Sequence, residues 1–119
     1  MGLFVKQSLK IFIYIVLINS LSKLSISNQI DLNAAKNEFI NGNYNKSILL
    51  ASKINTLESM IFLSRTISIY TKFFKKGEEA KENYLKAYNI SKKALSINGN
   101  NTLAYTEAAH ALGRYGQEI

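Results

Sequence analysis

The chain has 119 residues, 47% of them hydrophobic, with 15 Lys and Arg against 8 Asp and Glu, and neither Cys nor Pro. One domain at most fits that length, and the apolar content excludes a disordered chain. Without Cys there is no disulfide framework and no thiolate zinc site, and one His cannot build a His-rich metal site. Heavy use of Ile, Asn, Lys and Ser is the composition that AT-rich coding produces, so a single Asn or Lys argues for little.

Residues 1–10 carry Lys6 and Lys10 and no acid, and the uncharged run Ile11–Ile18 follows. Asn19, Ser20, Ser22 and Lys23 then close the run with polar residues. Charge, apolar stretch and small residues in that order predict a secretory signal over 1–27, because the run is well short of the roughly 20 residues that a spanning helix needs. Ser25-Ile26-Ser27 offers the small side chains a signal peptidase requires, with Ser20-Leu21-Ser22 as a second candidate, and the cut is expected after Ser27. An uncleaved anchor is the alternative, and without Cys there is no lipoprotein site. Removing Lys6, Lys10 and Lys23 lowers the net charge from +7 to +4. Glu78, Glu79 and Glu82 interrupt the lysines between Lys72 and Lys93, so solvated helix faces are expected there and no nucleic-acid partner.

Residues 28–119 read as helix throughout, from Ala, Leu, Lys and Glu at i, i+3, i+4 spacing and the lack of proline. The first helix is expected to start at Asp31 as N-cap and to stop at Asn41-Gly42-Asn43. A second takes Tyr44 to Ile54. Thr56 caps a third that runs to about Lys76, with Glu58 near its positive end. Gly77 separates this from a fourth, Glu78 to Ile97, and Asn98-Gly99-Asn100-Asn101 is a turn. Thr102 caps a fifth, which Gly116 ends. On the third helix Met60, Leu63, Ile67, Tyr70 and Phe74 form one apolar line and Phe62, Ile69 and Phe73 another, so it needs neighbours on two sides. On the fourth, Ala80, Tyr84, Ala87, Ser91 and Ala94 make a seam suited to close antiparallel packing.

Gly42, Gly77 and Gly116 recur at intervals of 35 and 39 residues, close to the period of a helical-hairpin repeat. The segment Ala34 to Ala51, with its Gly42-Asn43-Tyr44 turn and the small residues Ser47 and Ala51, resembles one unit of the tetratricopeptide repeat family. Ala94 to Asn101 is similar to that family's end-of-repeat segment, and Thr102 to Ala109 to a fresh start, with Tyr105 as its aromatic and Ala109 as its small crossing residue. The likeness covers about Gln29 to the end. Glu38, Tyr70 and an overlong middle hairpin depart from the pattern. The resemblance implies an all-α stack of antiparallel hairpins, about two and a half of them, and leads us to expect a fragment, with oligomerisation through an unpaired fifth helix as another way to complete it.

Such a stack recognises peptides or partner helices on its concave face. The resemblance implies Asn33 and Lys36 on that face in the first hairpin, Thr71 and Lys75 in the second, and Thr106, His110 and Arg114 in the third. These give a basic groove suited to an acidic segment or a chain-terminal carboxylate. Glu107, His110 and Arg114 share one face of the fifth helix, but no Ser, Cys or second carboxylate accompanies them, so a surface ion-pair ladder is expected and no catalytic site, cofactor or metal. The expectation is a non-catalytic exported adaptor, periplasmic in a Gram-negative cell. An accessory subunit handling a small ligand or transport substrate, or a membrane-anchored assembly factor, is the alternative; the membrane is a partner only if the first helix is uncleaved.

Overall fold

The computed structural model describes the backbone of residues 2–119 and the side chains from Val5 onward; Met1, where the expected signal starts, lies outside the described residues. It is all-helical, with no strand among the described residues: α1 Gly2–Ile40, α2 Tyr44–Ser52, α3 Leu57–Phe74, α4 Gly77–Ile97 and α5 Thr102–Gln117. Contacts divide the chain into two units that meet at Ile30 and Asp31.

In the first unit, α1 carries a stretch long and apolar enough to cross a membrane, a test that a secretory signal also passes. The helix expected to begin at Asp31 has already run for many turns by then, so Asp31 is an interior residue and no cap. The reason is local: between Gly2 and Gly42 no glycine or proline interrupts the run, and an Asp inside a helix costs only a few tenths of a kcal/mol.

The second unit opens with the end of α1, and Gly42 stops that helix. Its φ of 80° is the left-handed value that a Cβ disfavours. Gly42 N–H donates to Phe39 O at 3.0 Å and Asn43 N–H to Glu38 O at 2.8 Å, the paired bonds of a Schellman cap. Asn43 Nδ2 and Lys46 Nζ both reach Glu38, and these bonds hold its carboxyl below the usual carboxylate range. Thr56 caps α3 as expected: its Oγ1 accepts from Ser59 N–H, while Ser59 Oγ accepts from Thr56 N–H. Asn101, one residue before the expected Thr102, caps α5 by accepting from Ala104 N–H at 2.9 Å; Asn is the better cap. Gly116 does not end α5. It lies inside the helix, and among the described glycines only Gly42 and Gly77 have positive φ. A single helical glycine costs only about 1 kcal/mol relative to Ala, and the Glu118 carboxylate just beyond accepts the Gly77 N–H at 3.1 Å, tying this end to the start of α4.

Each of α2 to α5 packs on the next, and α3 also packs on α5. Within the same unit, Ser47 Oγ of α2 donates to Ala35 O of α1 at 2.7 Å, and the Phe39 and Phe62 rings of α1 and α3 meet edge to face at 6.0 Å. The neighbours predicted for α3 are thus present. The α4 seam is buried at all five positions, Ala80, Tyr84, Ala87, Ser91 and Ala94. Of the two apolar lines on α3, Met60, Leu63 and Ile67 are buried, whereas Phe73 and Phe74 stand in solvent at 67% and 59% exposure. Small side chains let the helices approach: Ser64 Oγ of α3 bonds Ala87 O at 2.8 Å and Ser91 Oγ at 2.6 Å, both on α4.

Candidate functional site

Because α3 and α5 lie side by side, a cleft of about 410 Å³ runs between them. From α3 it is lined by Arg65, Ser68, Ile69, Lys72 and Phe73, the i, i+3, i+4, i+7, i+8 face of one helix. Thr106, Glu107, His110 and Arg114 face them from α5. Three of the seven residues assigned from the family pattern, Thr106, His110 and Arg114, therefore meet in one place.

The electrostatics of this cleft are asymmetric. Glu107 is only 3% exposed, and its carboxylate accepts from Arg65 Nε at 2.8 Å. The expected surface ladder from Glu107 to Arg114 is therefore replaced by a cross-helix pair, because Glu107 turns into the α3 contact. Lys72 and Arg114 carry no carboxylate partner among the described ion pairs. Lys72 Nζ lies 5.4 Å from the Phe73 ring centroid, and Arg114 makes one long hydrogen bond to Gln117 Oε1, 3.4 Å. Arg114 also bears on the buried Tyr84: burial pushes that phenol's pKa up, Arg114 opposes the rise and Glu118 adds to it. Ser68 Oγ is buried in the cleft wall without a hydrogen-bond partner. Ile69 and Phe73 supply apolar surface to the same cleft.

The other four assigned residues lie elsewhere. Thr71 is a correction: it is fully buried, its hydroxyl has no hydrogen-bond partner, and it cannot line a groove. Lys75 is a second. It faces a separate recess with Asn45 and Ile48 of α2 and Glu79, Asn83 and Lys86 of α4, and Glu79 holds its ammonium at 2.7 Å, which raises its pKa. The face of α3 turned to α5 is the one bearing Ser68 and Lys72, three residues earlier in each case, and the family register misplaced it by about one-sixth of a turn. Lys36 of α1 pairs with Glu58 of α3 at 2.9 Å, and Asn33 is exposed on α1. Arg65, Lys72 and Phe73 line the cleft but are not among the residues the family pattern assigns. Their i, i+7, i+8 spacing on α3 was the available signal, masked by counting Phe73 as core and Lys72 as one more solvated lysine.

A second recess, of about 670 Å³, lies beside Gly42, Asn43, Tyr44, Asn45, Lys46, Tyr70 and Phe74. Its rings pack on one another, with Tyr70 and Phe74 stacked at 5.3 Å and Tyr44 tilted 5.9 Å from Phe74, and Lys46 is engaged by Glu38. It offers no unpaired cation.

No protein-family model matches the chain, and comparison with curated proteins and with solved structures likewise finds no match.

Proposed function

We propose that this protein is a non-catalytic, exported adaptor whose helices stack as tetratricopeptide-like hairpins and whose α3–α5 cleft binds an acidic segment of a protein partner. The hairpin reading is supported by the contacts of α3 with α5 and of Phe39 with Phe62, since alternate helices touch in such a stack. Export is supported by the apolar stretch of α1, and in a Gram-negative cell the destination is the periplasm. The observation that carries the binding reading is that Lys72 and Arg114, two cations without a carboxylate among the described ion pairs, line one cleft together with the apolar side chains of Ile69 and Phe73. A segment with carboxylates flanking an apolar residue satisfies both, through charge-assisted hydrogen bonds of about 1.5–3 kcal/mol each. An open cleft with a largely exposed Phe73 on its rim favours a peptide over an enclosed small ligand.

The test is charge reversal. Lys72→Glu with Arg114→Glu should weaken capture of the envelope partner by more than about tenfold, and the remaining binding should lose its salt dependence. Lys86→Glu with Lys93→Glu, on exposed positions of α4, should change little. Equal losses from both pairs would mean diffuse attraction without a groove, and no loss from the first pair would refute the cleft.

A further inference from the structure

We infer that the tip formed by the end of α3 and the start of α4 docks on the surface of a bilayer that contains anionic lipid, with Phe73 and Phe74 entering the interface and Lys72 and Lys76 among the phosphates. This goes beyond the peptide reading of the α3–α5 cleft, and it does not depend on whether α1 is kept or removed.

The last two residues of α3 are large rings, Phe73 and Phe74, and they are 67% and 59% exposed. The chain then passes through Lys75 and Lys76, both extended, to Gly77, whose φ of 64° opens α4. Ile40, 78% exposed, stands at the same end of the unit, two residues before Gly42, which shares a recess with Phe74. Bulky apolar side chains left in water side by side mark an interaction surface.

Consecutive side chains on a helix point about 100° apart. Phe73 accordingly lines the α3–α5 cleft, whereas Phe74 lines the recess beside α2. A peptide or small ligand seated in either one covers one ring and leaves the other in water. A bilayer interface closes around a protruding tip and takes both. Phe74 is also held ready: it stacks on Tyr70 at 5.3 Å and leans on Tyr44 at 5.9 Å, so docking costs it little freedom.

The charge at the tip selects anionic lipid. Its acids are engaged: Glu79 by Lys75 at 2.7 Å, Glu78 by Lys81 at 2.8 Å and Glu38 by Lys46 at 3.2 Å. Lys72 and Lys76 are exposed, and neither has a carboxylate among the described ion pairs. A lysine stem lies along apolar surface while its ammonium stays at headgroup level, and Lys72 Nζ already sits 5.4 Å from the Phe73 ring centroid. Rings at the acyl boundary and cations among phosphates reinforce one another.

The chain has no Trp, so one introduced indole reports its own position. Full chains carrying Phe74→Trp or Leu85→Trp, the latter at an exposed position of α4, are mixed with vesicles whose brominated acyl chains quench an indole only at close range. With phosphatidylglycerol in a phosphatidylcholine bilayer, Phe74→Trp should shift to shorter wavelength and be quenched, and Leu85→Trp should do neither. Phosphatidylcholine alone should leave both unchanged. Adding Lys76→Glu to Phe74→Trp should weaken the apparent affinity for the anionic vesicles by about fivefold or more. Equal quenching of the two indoles, the result of adsorption through α1 or any other face, overturns the inference, as does equal quenching by neutral and anionic vesicles. Absence of quenching of Phe74→Trp overturns it too, and a shift seen only with soluble envelope proteins would assign the tip to a protein. Phe74 and Lys76 do not line the α3–α5 cleft, and the charge reversal of Lys72 and Arg114 is read on a protein partner, so either reading can fail alone.

Discussion

Leucine at position 87 should destabilise the helical unit by about 3 kcal/mol, the largest effect we expect from one substitution. Ala87 is fully buried where α3 and α4 approach, and its carbonyl accepts from Ser64 Oγ. Three added carbons have no space there, and overpacking a tight contact costs about 1–3 kcal/mol. Separating the helices also breaks the hydrogen bonds that join Ser64 to Ala87 O and to Ser91 Oγ, leaving buried hydroxyls unmet at about 1–3 kcal/mol. Urea denaturation followed by circular dichroism should show a much lower midpoint for Ala87→Leu. Ala109→Leu, at an exposed position of α5, should stay within about 0.5 kcal/mol of the parent. Equal midpoints for the two variants would contradict the close α3–α4 packing.

Arg65→Ala should cost about 2 kcal/mol, although Arg65 itself is half exposed. The loss comes from Glu107, whose carboxylate would remain in the α3–α5 contact without its partner. Breaking a fully buried pair costs about 3–5 kcal/mol, and the exposed side of Arg65 reduces that, because water can enter where the guanidinium was. The diagnostic is the double variant: adding Glu107→Gln to Arg65→Ala should recover most of the loss, since a neutral amide is far easier to leave there. Additive losses in this cycle would show that the two side chains act independently and that the 2.8 Å contact carries no coupling.

Sequence periodicity located the helices of residues 44–119 and the seam of α4, because those features depend on near neighbours: Gly42 with positive φ, Thr56 with Ser59, and five buried positions at helical spacing. It failed where a distant element decides the outcome. Glu107 reads as a surface carboxylate until Arg65 arrives from 42 residues away. Thr71 was assigned to an open concave face, yet it is buried, as are Ser64 and Thr66 on the same helix, since α3 has neighbours on several sides. Ser64 and Thr66 are tolerated there because their hydroxyls bond Ala87 O and Phe62 O. With polar residues on buried faces and Phe73 and Phe74 on exposed ones, hydropathy alone could not say which side of α3 faces α5. Asp31 was misjudged for a different reason: a good cap residue starts a helix only if the preceding chain is not already helical.

The small-residue packing also bears on how this protein responds to temperature. Its fully buried positions are occupied mostly by Ala, Ser and Thr, with Leu32 the one large aliphatic side chain among the most deeply buried, while Phe73, Phe74, Tyr105 and Leu112 remain in water. Unfolding such a core exposes less new hydrocarbon than a core filled throughout with Leu and Phe would, and a larger share of peptide and hydroxyl surface, and these two hydration contributions to the heat capacity have opposite signs. The heat-capacity increment per residue should then fall below the usual 12–15 cal/mol/K, roughly, of globular domains. The free-energy curve becomes broad and shallow: modest stability at its maximum, held nearly constant over a wide span of temperature, with cold denaturation displaced well below freezing.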